Sequence, residues 1–202
     1  MKCIFVIFRA QRQHSGDKLQ HLGKPWASSR KVENNKLQSF VEAIDFKCTR
    51  GSENDVLTRF YESAKSHAVE TIVRITGDCP LIDPELVDQC IRGFKENGVD
   101  YFSNIHPATY PDGLDIEVFS FETLQRAYRE ATSKYDREHV TTYIRNSETF
   151  SKSSIQSSKD YSKERWSVDE PEDLEVIKKI FENFAPDIYF GWNSVIELIA
   201  IK

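Results

Sequence analysis

The sequence predicts an α/β protein with three layers, in which helices cover both faces of a mostly parallel sheet. Two observations carry this prediction. Short apolar runs typical of buried strands alternate along the chain with longer segments that repeat apolar residues at helical spacing. Several of the helical segments also begin with a capping residue or a proline shortly after a strand.

The strand predictions rest on runs of apolar residues bounded by turn-forming residues. CIFVIF near the N-terminus is typical of a buried strand, because its apolar residues are continuous rather than alternating. Further strands are predicted in TIVRI, VDYFSN, LDIEVFS and ERWSVDE. The polar run SKSSIQSSKD (151–160) is predicted to be a loop.

The helix predictions rest on capping residues as well as on periodicity. Asp83 is expected to cap a helix over DPELVDQCIRGFKENG, with proline at its first position and glycine at its end. Ser52 and Asp55 are candidates for a capping box in GSENDVLTRFYESAKSH, and Ser120 for the cap of FETLQRAYREA. Further helices are predicted in YDREHVTTYIRN, PEDLEVIKKIFENF and VIELIAI.

Composition narrows the class of protein. The chain has 202 residues, of which 39% are hydrophobic, enough for a single domain over residues 1–202. Its net charge of -5 and the lack of a basic stripe argue against a nucleic-acid partner. The four cysteines are scattered, as expected for free thiols in a reducing cytosol. The N-terminal apolar run is too short for a signal peptide or a membrane span, so we expect a cytoplasmic protein without a membrane partner.

Two aspartates follow two predicted strands in the same local pattern. In RITGDCPLIDPEL, Asp78 stands where the apolar run of a predicted strand ends. In WSVDEPEDL, Asp169 likewise follows a predicted strand and precedes a helix that begins with proline. Ligands of α/β sheets bind outside the carboxyl ends of strands, and Mg²⁺ accepts one or two carboxylates there. The alternative interpretation is that both aspartates are turn or cap residues.

These motifs together resemble a known family. RGSENDVLTRFYESA, RITGDCPLIDPEL, TYPDGLDIEVFSFETLQRA, REHVT and RWSVDEPEDL are similar, in order and spacing, to the cytidylyltransferase-like spore-coat polysaccharide (SpsF-type) group. That group is related to the CMP-KDO and CMP-sialate (acylneuraminate) synthetases. The resemblance runs from about Ala27 to near the C-terminus and implies a glycosyltransferase-A-like nucleotidyltransferase fold.

The resemblance also implies a reaction and a metal. In the family, a sugar hydroxyl is joined to the α-phosphate of CTP with release of pyrophosphate, and Mg²⁺ assists. Asp78 and Asp169 match the family's metal-binding, catalytic aspartates. Arg74 lies on the strand that leads into the site and is a candidate nucleotide-binding residue. Alternatively, it pairs with a nearby carboxylate, as a long arginine on an apolar strand commonly does.

The resemblance places the sugar site on two motifs, TYPDGLDIEVFS and REHVT. The candidate substrate-binding residues are Tyr110, Asp112, Asp115 and Glu117 for sugar hydroxyls, and Arg137, Glu138 and His139 for a carboxylate or phosphate. Two alternatives remain. Asp115 and Glu117 alternate as the polar face of a strand would, and His139 is equally consistent with a structural hydrogen bond on a helix.

The N-terminal stretch departs from the family pattern. Family members open with a loop of the form A-R-x-G-S-T-R-L-P-G-K, whose amides and basic side chains hold the nucleotide phosphates. Here the stretch is FRAQRQHSGDKLQHLGKP, so Arg9, Arg12 and Lys18 occupy the basic positions as nucleotide-binding candidates, with Lys18 also a catalytic candidate. Bulky residues replace most small ones between them, which hinders close backbone approach to phosphate.

The chain is also shorter here than the family pattern. The family has a long helix and a strand after G-K-P, whereas GKPW is followed at once by ASSRKVENNK. We therefore expect residues 1–30 to diverge, with a central strand missing and an edge or gap that another chain fills.

Three functions follow from these observations. The first is a Mg²⁺-dependent nucleotidyltransferase that uses CTP to activate a sugar or sugar acid for cell-surface polysaccharide biosynthesis. The second is a non-catalytic homologue that binds a sugar nucleotide or a partner chain. The third, a glycosyltransferase on the same fold, ranks last because no D-x-D triplet stands at a strand end. The resemblance further implies a homodimer.

Overall fold

The computed structural model describes residues 4–9, 22–23 and 25–200. The described strands are β1 (Ile4–Arg9), β2 (Leu22–Gly23), β3 (Pro25–Ser29), β4 (Lys47–Gly51), β5 (Thr71–Thr76), β6 (Tyr101–Ser103), β7 (Glu117–Ser120) and β8 (Lys152–Ser154). The α-helices are α1 (Asn35–Ala43), α2 (Val56–Ser66), α3 (Pro84–Asn97), α4 (Phe121–Glu130), α5 (Lys134–His139), α6 (Thr142–Asn146), α7 (Pro171–Phe184) and α8 (Trp192–Ala200). A 3-10 turn (Val32–Asn34) precedes α1.

The predicted caps at Asp83, Gly98 and Ser120 are confirmed, whereas the capping box predicted for Ser52 and Asp55 is not. A carboxylate oxygen of Asp83 accepts hydrogen bonds from two N–H groups in the first turn of α3, at 2.7 and 3.1 Å. Gly98 ends α3 in the left-handed conformation, with φ 60°. The side chains of Asp55 and Ser120 cap α2 and α4 in the same way. Ser52 accepts a hydrogen bond from the Asp55 N–H, so Asp55 itself is the capping residue.

The strands form one sheet in the order β4-β3-β1-β5-β7-β6-β8, with β2 beside β1. The α/β class is confirmed, but the sheet is mixed rather than mostly parallel. Five of the described strand pairs are antiparallel and two are parallel. The reason is that β1 and β7 each run opposite to both neighbours in the main order.

The predicted gap in the sheet is not present. The segment expected to lack a strand contains β3, which pairs with β4. Strand β1 lies between β3 and β5 and pairs with both, so it has a neighbour on each side. Backbone pairing needs no particular side chains, and a divergent N-terminal sequence therefore still fills this central position.

Helices cover both faces of the sheet, which confirms the three-layer architecture. One core includes Ile72, Tyr101 and Phe119 of the sheet with Phe60, Leu124 and Ile144 of α2, α4 and α6. The other includes Val73, Phe102 and Val118 with Leu86, Ile177 and Val195 of α3, α7 and α8. Because successive strand residues point to opposite faces, neighbours such as Ile72 and Val73 belong to different cores.

Three predicted elements differ from the structure. ERWSVDE forms an isolated bridge between Arg165 and Asp112 instead of a strand. The predicted loop SKSSIQSSKD contains β8, which pairs with β6. YDREHVTTYIRN is two helices, because Val140 has φ 64° and interrupts it. Across the described residues, no helix combines the length and the hydropathy that a bilayer span requires.

Candidate active site

The two aspartates predicted from the strand ends come from segments that contact each other. Asp78 lies in the turn directly after β5. The N–H of Val168 donates to the carbonyl oxygen of Asp78, with an N···O distance of 2.8 Å. Because Asp169 follows Val168 in the chain, this bond brings both aspartates to the same edge of the sheet.

The side chains of these aspartates have different surroundings. The Asp78 carboxylate is partly buried and accepts a weak hydrogen bond from the Cys79 thiol, at 3.6 Å. The Asp169 side chain is 57% exposed and pairs with Arg165 at 3.0 Å. No group of three or more histidine, cysteine or acidic side chains in the described part of the chain is arranged to hold a metal. Mg²⁺ needs only one or two protein carboxylates, so a site on Asp78 and Asp169 fits its chemistry.

The loop carrying Asp112 is bonded along its length to the segment before Val168. The N–H of Asp112 donates to the Glu164 carbonyl at 2.9 Å, and its own carbonyl accepts from Trp166 at 2.7 Å. The hydroxyl of Ser167 donates to the Asp112 carboxylate at 3.2 Å. Two motifs predicted to belong to one site are therefore in direct contact.

Gly113 allows this close approach. Its φ of 103° is unfavourable for a residue with a side chain, and a Cβ atom there would lie 2.6 Å from backbone atoms of Trp166 and Ser167. The glycine of the TYPDGLDIEV motif is thus required by backbone packing, next to the two aspartates of that motif.

Asp115 faces several other carboxylates. Burial and the negative charges of Asp112, Glu117 and Asp78 together raise its pKa to about 7, and the positive charge of Arg74 partly opposes them. These groups therefore lie close enough for their charges to influence Asp115. We call the edge of the sheet around Asp78 the acidic crevice. Its negative charge favours a cation or the hydroxyl groups of a ligand.

Arg74 and Glu117 form an ion pair beneath this crevice. Glu117 is 1% exposed and also accepts a hydrogen bond from the Tyr101 hydroxyl at 2.7 Å. Burial disfavours the charged carboxylate, but Arg74 and hydrogen bonds from Thr141 and Tyr101 outweigh burial, so the pKa of Glu117 is lowered. Pairing with a nearby carboxylate was the alternative role considered for Arg74. The pair gives a structural partner to Arg74, a predicted nucleotide-binding residue, and to Glu117, a predicted sugar-binding residue.

Arg137 also has structural partners, and its predicted grip on a carboxylate or phosphate stays a prediction. Its guanidinium donates to the Asp55 carboxylate at 2.9 Å and to the Thr58 hydroxyl at 2.7 Å. The remaining nitrogen donates to the carbonyls of Tyr128 and Ala131. With every nitrogen engaged, Arg137 ties α2 to the turn between α4 and α5.

The other predicted substrate-binding residues are more dispersed. Glu138 is exposed on α5, and the His139 ring packs against the exposed Tyr135, with 4.4 Å between centroids. Tyr110 is 8% exposed, and its ring meets Trp192 edge-on with centroids 5.3 Å apart. These contacts account for Tyr110 and His139 as packing residues.

The predicted nucleotide-binding residues of the N-terminus are not brought to the crevice by the described strands. Arg9 pairs with Thr71, the first residue of β5, whereas Asp78 lies beyond the last residue of that strand. At roughly 3.4 Å per residue, the backbone of Arg9 lies about 17 Å from the crevice end of β5. This register separates the backbone of Arg9 from Asp78, and the role of its side chain stays a prediction. Arg12 and Lys18 lie outside the described residues.

Sequence reasoning missed Asn104, which is 1% exposed and follows β6. Its side-chain amide donates to the Leu114 carbonyl at 2.7 Å, and its side-chain oxygen accepts from the Ile116 N–H at 2.8 Å. Asn104 thus holds the residues on either side of Asp115. The sequence did contain a signal for Asn104, because it is a polar residue at the end of an apolar strand, the same pattern that identified Asp78.

The turn between α5 and α6 was also missed. Val140 has φ 64° and ψ −59°, and the Thr141 N–H donates to the His139 carbonyl at 2.7 Å. This is a γ-turn of the strained form, which is rare for a β-branched residue. The turn directs Thr141 to Glu117. Strain of this kind concentrates at functional sites.

Comparison with known proteins identifies the family of the chain. Residues 27–191 match the family model described as cytidylyltransferase. Over 118 residues the chain is 42% identical to an uncharacterized protein of Methanocaldococcus jannaschii, a match spanning 58% of this chain and 47% of that protein. It is 31% identical to the spore coat polysaccharide biosynthesis protein SpsF of Bacillus subtilis, over 87% of this chain and 72% of SpsF.

A solved structure shares the fold. A cytidylyltransferase from Leptospira borgpetersenii serovar Hardjo-bovis superimposes with a TM-score of 0.83 at 29% sequence identity, covering 87% of this chain and 75% of that one. The family match extends over the strand-end aspartates, the glycine-containing loop and the strained turn that build the crevice. The chain belongs to the cytidylyltransferase family.

Proposed function

We propose that this chain is a nucleotidyltransferase that activates a sugar or sugar acid with CTP. In the proposed reaction, a sugar hydroxyl oxygen bonds to the α-phosphorus of CTP, the bond to the β-phosphate oxygen breaks, and pyrophosphate leaves. The hydroxyl proton passes to a base or to solvent. The products are a CMP-linked sugar and pyrophosphate.

The hydrogen bond between Val168 and Asp78 is the observation that carries this proposal. It joins the two segments whose aspartates would hold Mg²⁺, next to the loop of Asp112 and Asp115. Bound Mg²⁺ would neutralise phosphate charge as pyrophosphate departs. Asp112 and Asp115 supply acceptors for sugar hydroxyls, and Asn104 fixes the backbone that presents Asp115.

Pyrophosphate release tests the proposal. The purified chain would be incubated with CTP, Mg²⁺ and a panel of neutral and acidic sugars, with ATP, GTP and UTP in parallel. We expect release with CTP that depends on the sugar. Folded protein that neither releases pyrophosphate nor binds CTP in isothermal titration would contradict the proposal.

A second candidate, a non-catalytic homologue that binds a sugar nucleotide or partner chain, is favoured by one observation. The register of β1 places the backbone of Arg9 beside Thr71, at the opposite end of β5 from Asp78. CTP-dependent pyrophosphate release would exclude this candidate. Binding of CMP in the absence of turnover would support it.

The wider setting follows from the same proposal. Activated sugars of this kind are building blocks for cell-surface polysaccharides, and we place this chain in such biosynthesis, in the cytoplasm. We also propose that it acts as a homodimer. Light scattering at several protein concentrations tests the oligomeric state, and a monomer throughout would overturn that part.

A further inference from the structure

The thiol of Cys79 lies between two parts of the acidic crevice. Cys79 directly follows Asp78, is 7% exposed and belongs to the core that α3, α7 and α8 build on one face of the sheet. Its sulfur lies 3.1 Å from the Thr76 hydroxyl and 3.6 Å from a carboxylate oxygen of Asp78. The backbone of Asp115 makes a third hydrogen bond to it. One side chain thus joins the end of β5 and the turn after it to the loop that carries Asp115.

The direction of each hydrogen bond follows from the protons available. A thiol carries one proton and a carboxylate only accepts, so the S–H of Cys79 donates to Asp78. The Thr76 hydroxyl and the Asp115 N–H then donate to the sulfur. Burial raises the pKa of the Cys79 thiol to about 12, so the proton stays on the sulfur at neutral pH.

Cys90 provides a comparison, because it is a buried cysteine of the same core. It lies on α3 and is 0% exposed. Among the groups that the structure describes, burial alone raises the pKa of its thiol. Packing therefore accounts for Cys90, whereas Cys79 also connects polar groups from two segments of the crevice.

We propose that Cys79 is a positioning residue that fixes the Asp78 carboxylate relative to the backbone of Asp115. This inference rests on the proposed function, in which Asp78 holds Mg²⁺ and Asp115 accepts a sugar hydroxyl. Carboxylates that hold a metal are oriented by hydrogen bonds from neighbouring groups, and loss of such a bond commonly costs about 10- to 100-fold in affinity or activity. A hydrogen bond at one oxygen of Asp78 leaves its second oxygen available to a cation.

Three substitutions at Cys79 and one at Cys90 test the proposal. Cys79→Ala removes the thiol, whereas Cys79→Ser keeps a group that can donate one hydrogen bond and accept two. Cys79→Val fills the space with an apolar group and replaces the alanine variant if that variant does not fold. Cys90→Ala is the matched control, because it deletes a buried thiol from the same core. Thermal melting shows which variants are folded.

The first measurement needs neither nucleotide nor metal. Hydrogen exchange followed by NMR reports how well the Asp115 amide is protected. This amide should exchange about tenfold faster in Cys79→Ala than in the wild type, the effect of losing one hydrogen bond. In Cys79→Ser and Cys90→Ala its exchange rate should stay within about twofold of the wild-type rate.

The second measurement is the Mg²⁺ dependence of pyrophosphate release from CTP. The Mg²⁺ concentration that gives half of the maximal rate should rise about tenfold in Cys79→Ala, and Cys79→Ser should recover most of this loss. Cys90→Ala should leave that concentration unchanged. A purely structural role would reduce the number of active molecules, and so the maximal rate, without changing the Mg²⁺ concentration required.

Equal exchange of the Asp115 amide in the wild type and in the folded alanine or valine variant would overturn the proposal. So would an unchanged Mg²⁺ requirement in that variant of an active enzyme, or an equal rise in Cys90→Ala. A wild type that releases no pyrophosphate would count against the proposed function. Faster exchange at Asp115 in the alanine or valine variant, but not in Cys90→Ala, would support the positioning contact even then.

Discussion

The carbonyl oxygen of Asp78 accepts a hydrogen bond from the N–H of Val168 at 2.8 Å, and this contact sets the turn of Asp78 beside the segment that carries Asp169. Because the bond is between backbone atoms, it places both turns without using either carboxylate. Asp78 and Asp169 are thus positioned by the fold and remain chemically available, apart from the exposed pair of Asp169 with Arg165.

Asp78→Asn should abolish the stabilisation that Mg²⁺ gives to the folded protein. Binding of Mg²⁺ to the folded state raises the melting temperature, and an amide is a weaker ligand than a carboxylate. Melting curves with and without Mg²⁺ measure the effect. Asp45→Asn is the control, since Asp45 is exposed after α1 and asparagine tolerates its positive φ. An equal Mg²⁺ shift in wild type and Asp78→Asn would contradict a metal site at Asp78.

Glu117→Gln should lower the free energy of unfolding by about 3 kcal/mol, because it leaves the charge of Arg74 buried without a partner. Urea denaturation measures the change. The control is Glu175→Gln, which breaks an exposed pair with Lys178 and should leave stability nearly unchanged. Similar effects of both substitutions would show that the buried pair is not a structural support.

Asp115→Asn should change how stability depends on pH. The unfolded state releases this proton near the ordinary aspartate pKa, whereas the folded state holds it up to about 7. The folded state therefore binds more protons between these values, and the free energy of unfolding falls as pH rises through this window. Asparagine does not titrate, so this fall in the free energy of unfolding is absent from the variant. Relative to the wild type, the variant should therefore gain roughly 1–3 kcal/mol of stability as the pH rises from 4 to 8.

Asp160→Asn is the control for this pH dependence. Hydrogen bonds from Ser162 lower the pKa of Asp160, so both its folded and unfolded forms are ionised above pH 5. Its stability difference from the wild type should stay constant from pH 5 to pH 8. A constant difference for Asp115→Asn over the same range would contradict the raised pKa.

Gly113→Ala should be far more destabilising than Gly98→Ala. Both glycines have positive φ, but a Cβ at Gly113 meets backbone atoms at 2.6 Å, while nothing lies within 4 Å of one at Gly98. Backbone strain alone costs about 1 kcal/mol, and the clash should add at least about 2 kcal/mol. Chemical denaturation of the two variants isolates the clash. Equal losses of stability in the two variants would show that the loop of Asp112 can move away from Trp166 at no cost.

Local signals in the sequence predicted much of the fold because they depend on neighbouring residues. Asp83 and Ser120 cap their helices as expected, since a side chain reaches the N–H groups of the next turn. The direction of a strand depends on distant partners, so nothing in CIFVIF shows that β1 runs antiparallel to β5. The mostly parallel sheet was therefore predicted incorrectly.

The candidate site divides in the same way. Asp78 and Asp169 were predicted together from two expected strand ends, since ligands of α/β sheets bind outside the carboxyl ends of strands. Asp169 follows a bridge instead of a strand, and the bond from Val168 to Asp78 brings it to that edge. The partners of Arg137 were not predictable, since Asp55 and Thr58 lie far from it in sequence. The bond between Arg145 and His106 was not predicted for the same reason, as it joins a helix to a loop after β6.

The sequence by itself determined the α/β class, the helix caps, the family and the two strand-end aspartates, all of which follow from local pattern and resemblance. Only the tertiary structure decided which charged groups are free to act. Arg74, Glu117 and Arg137 are engaged by partners from other elements, while the exposed Asp112 and Asp169 lie at the edge of the sheet beside Asp78. The physical reason is that a charge becomes structural or functional according to what distant parts of the chain bring within hydrogen-bond distance.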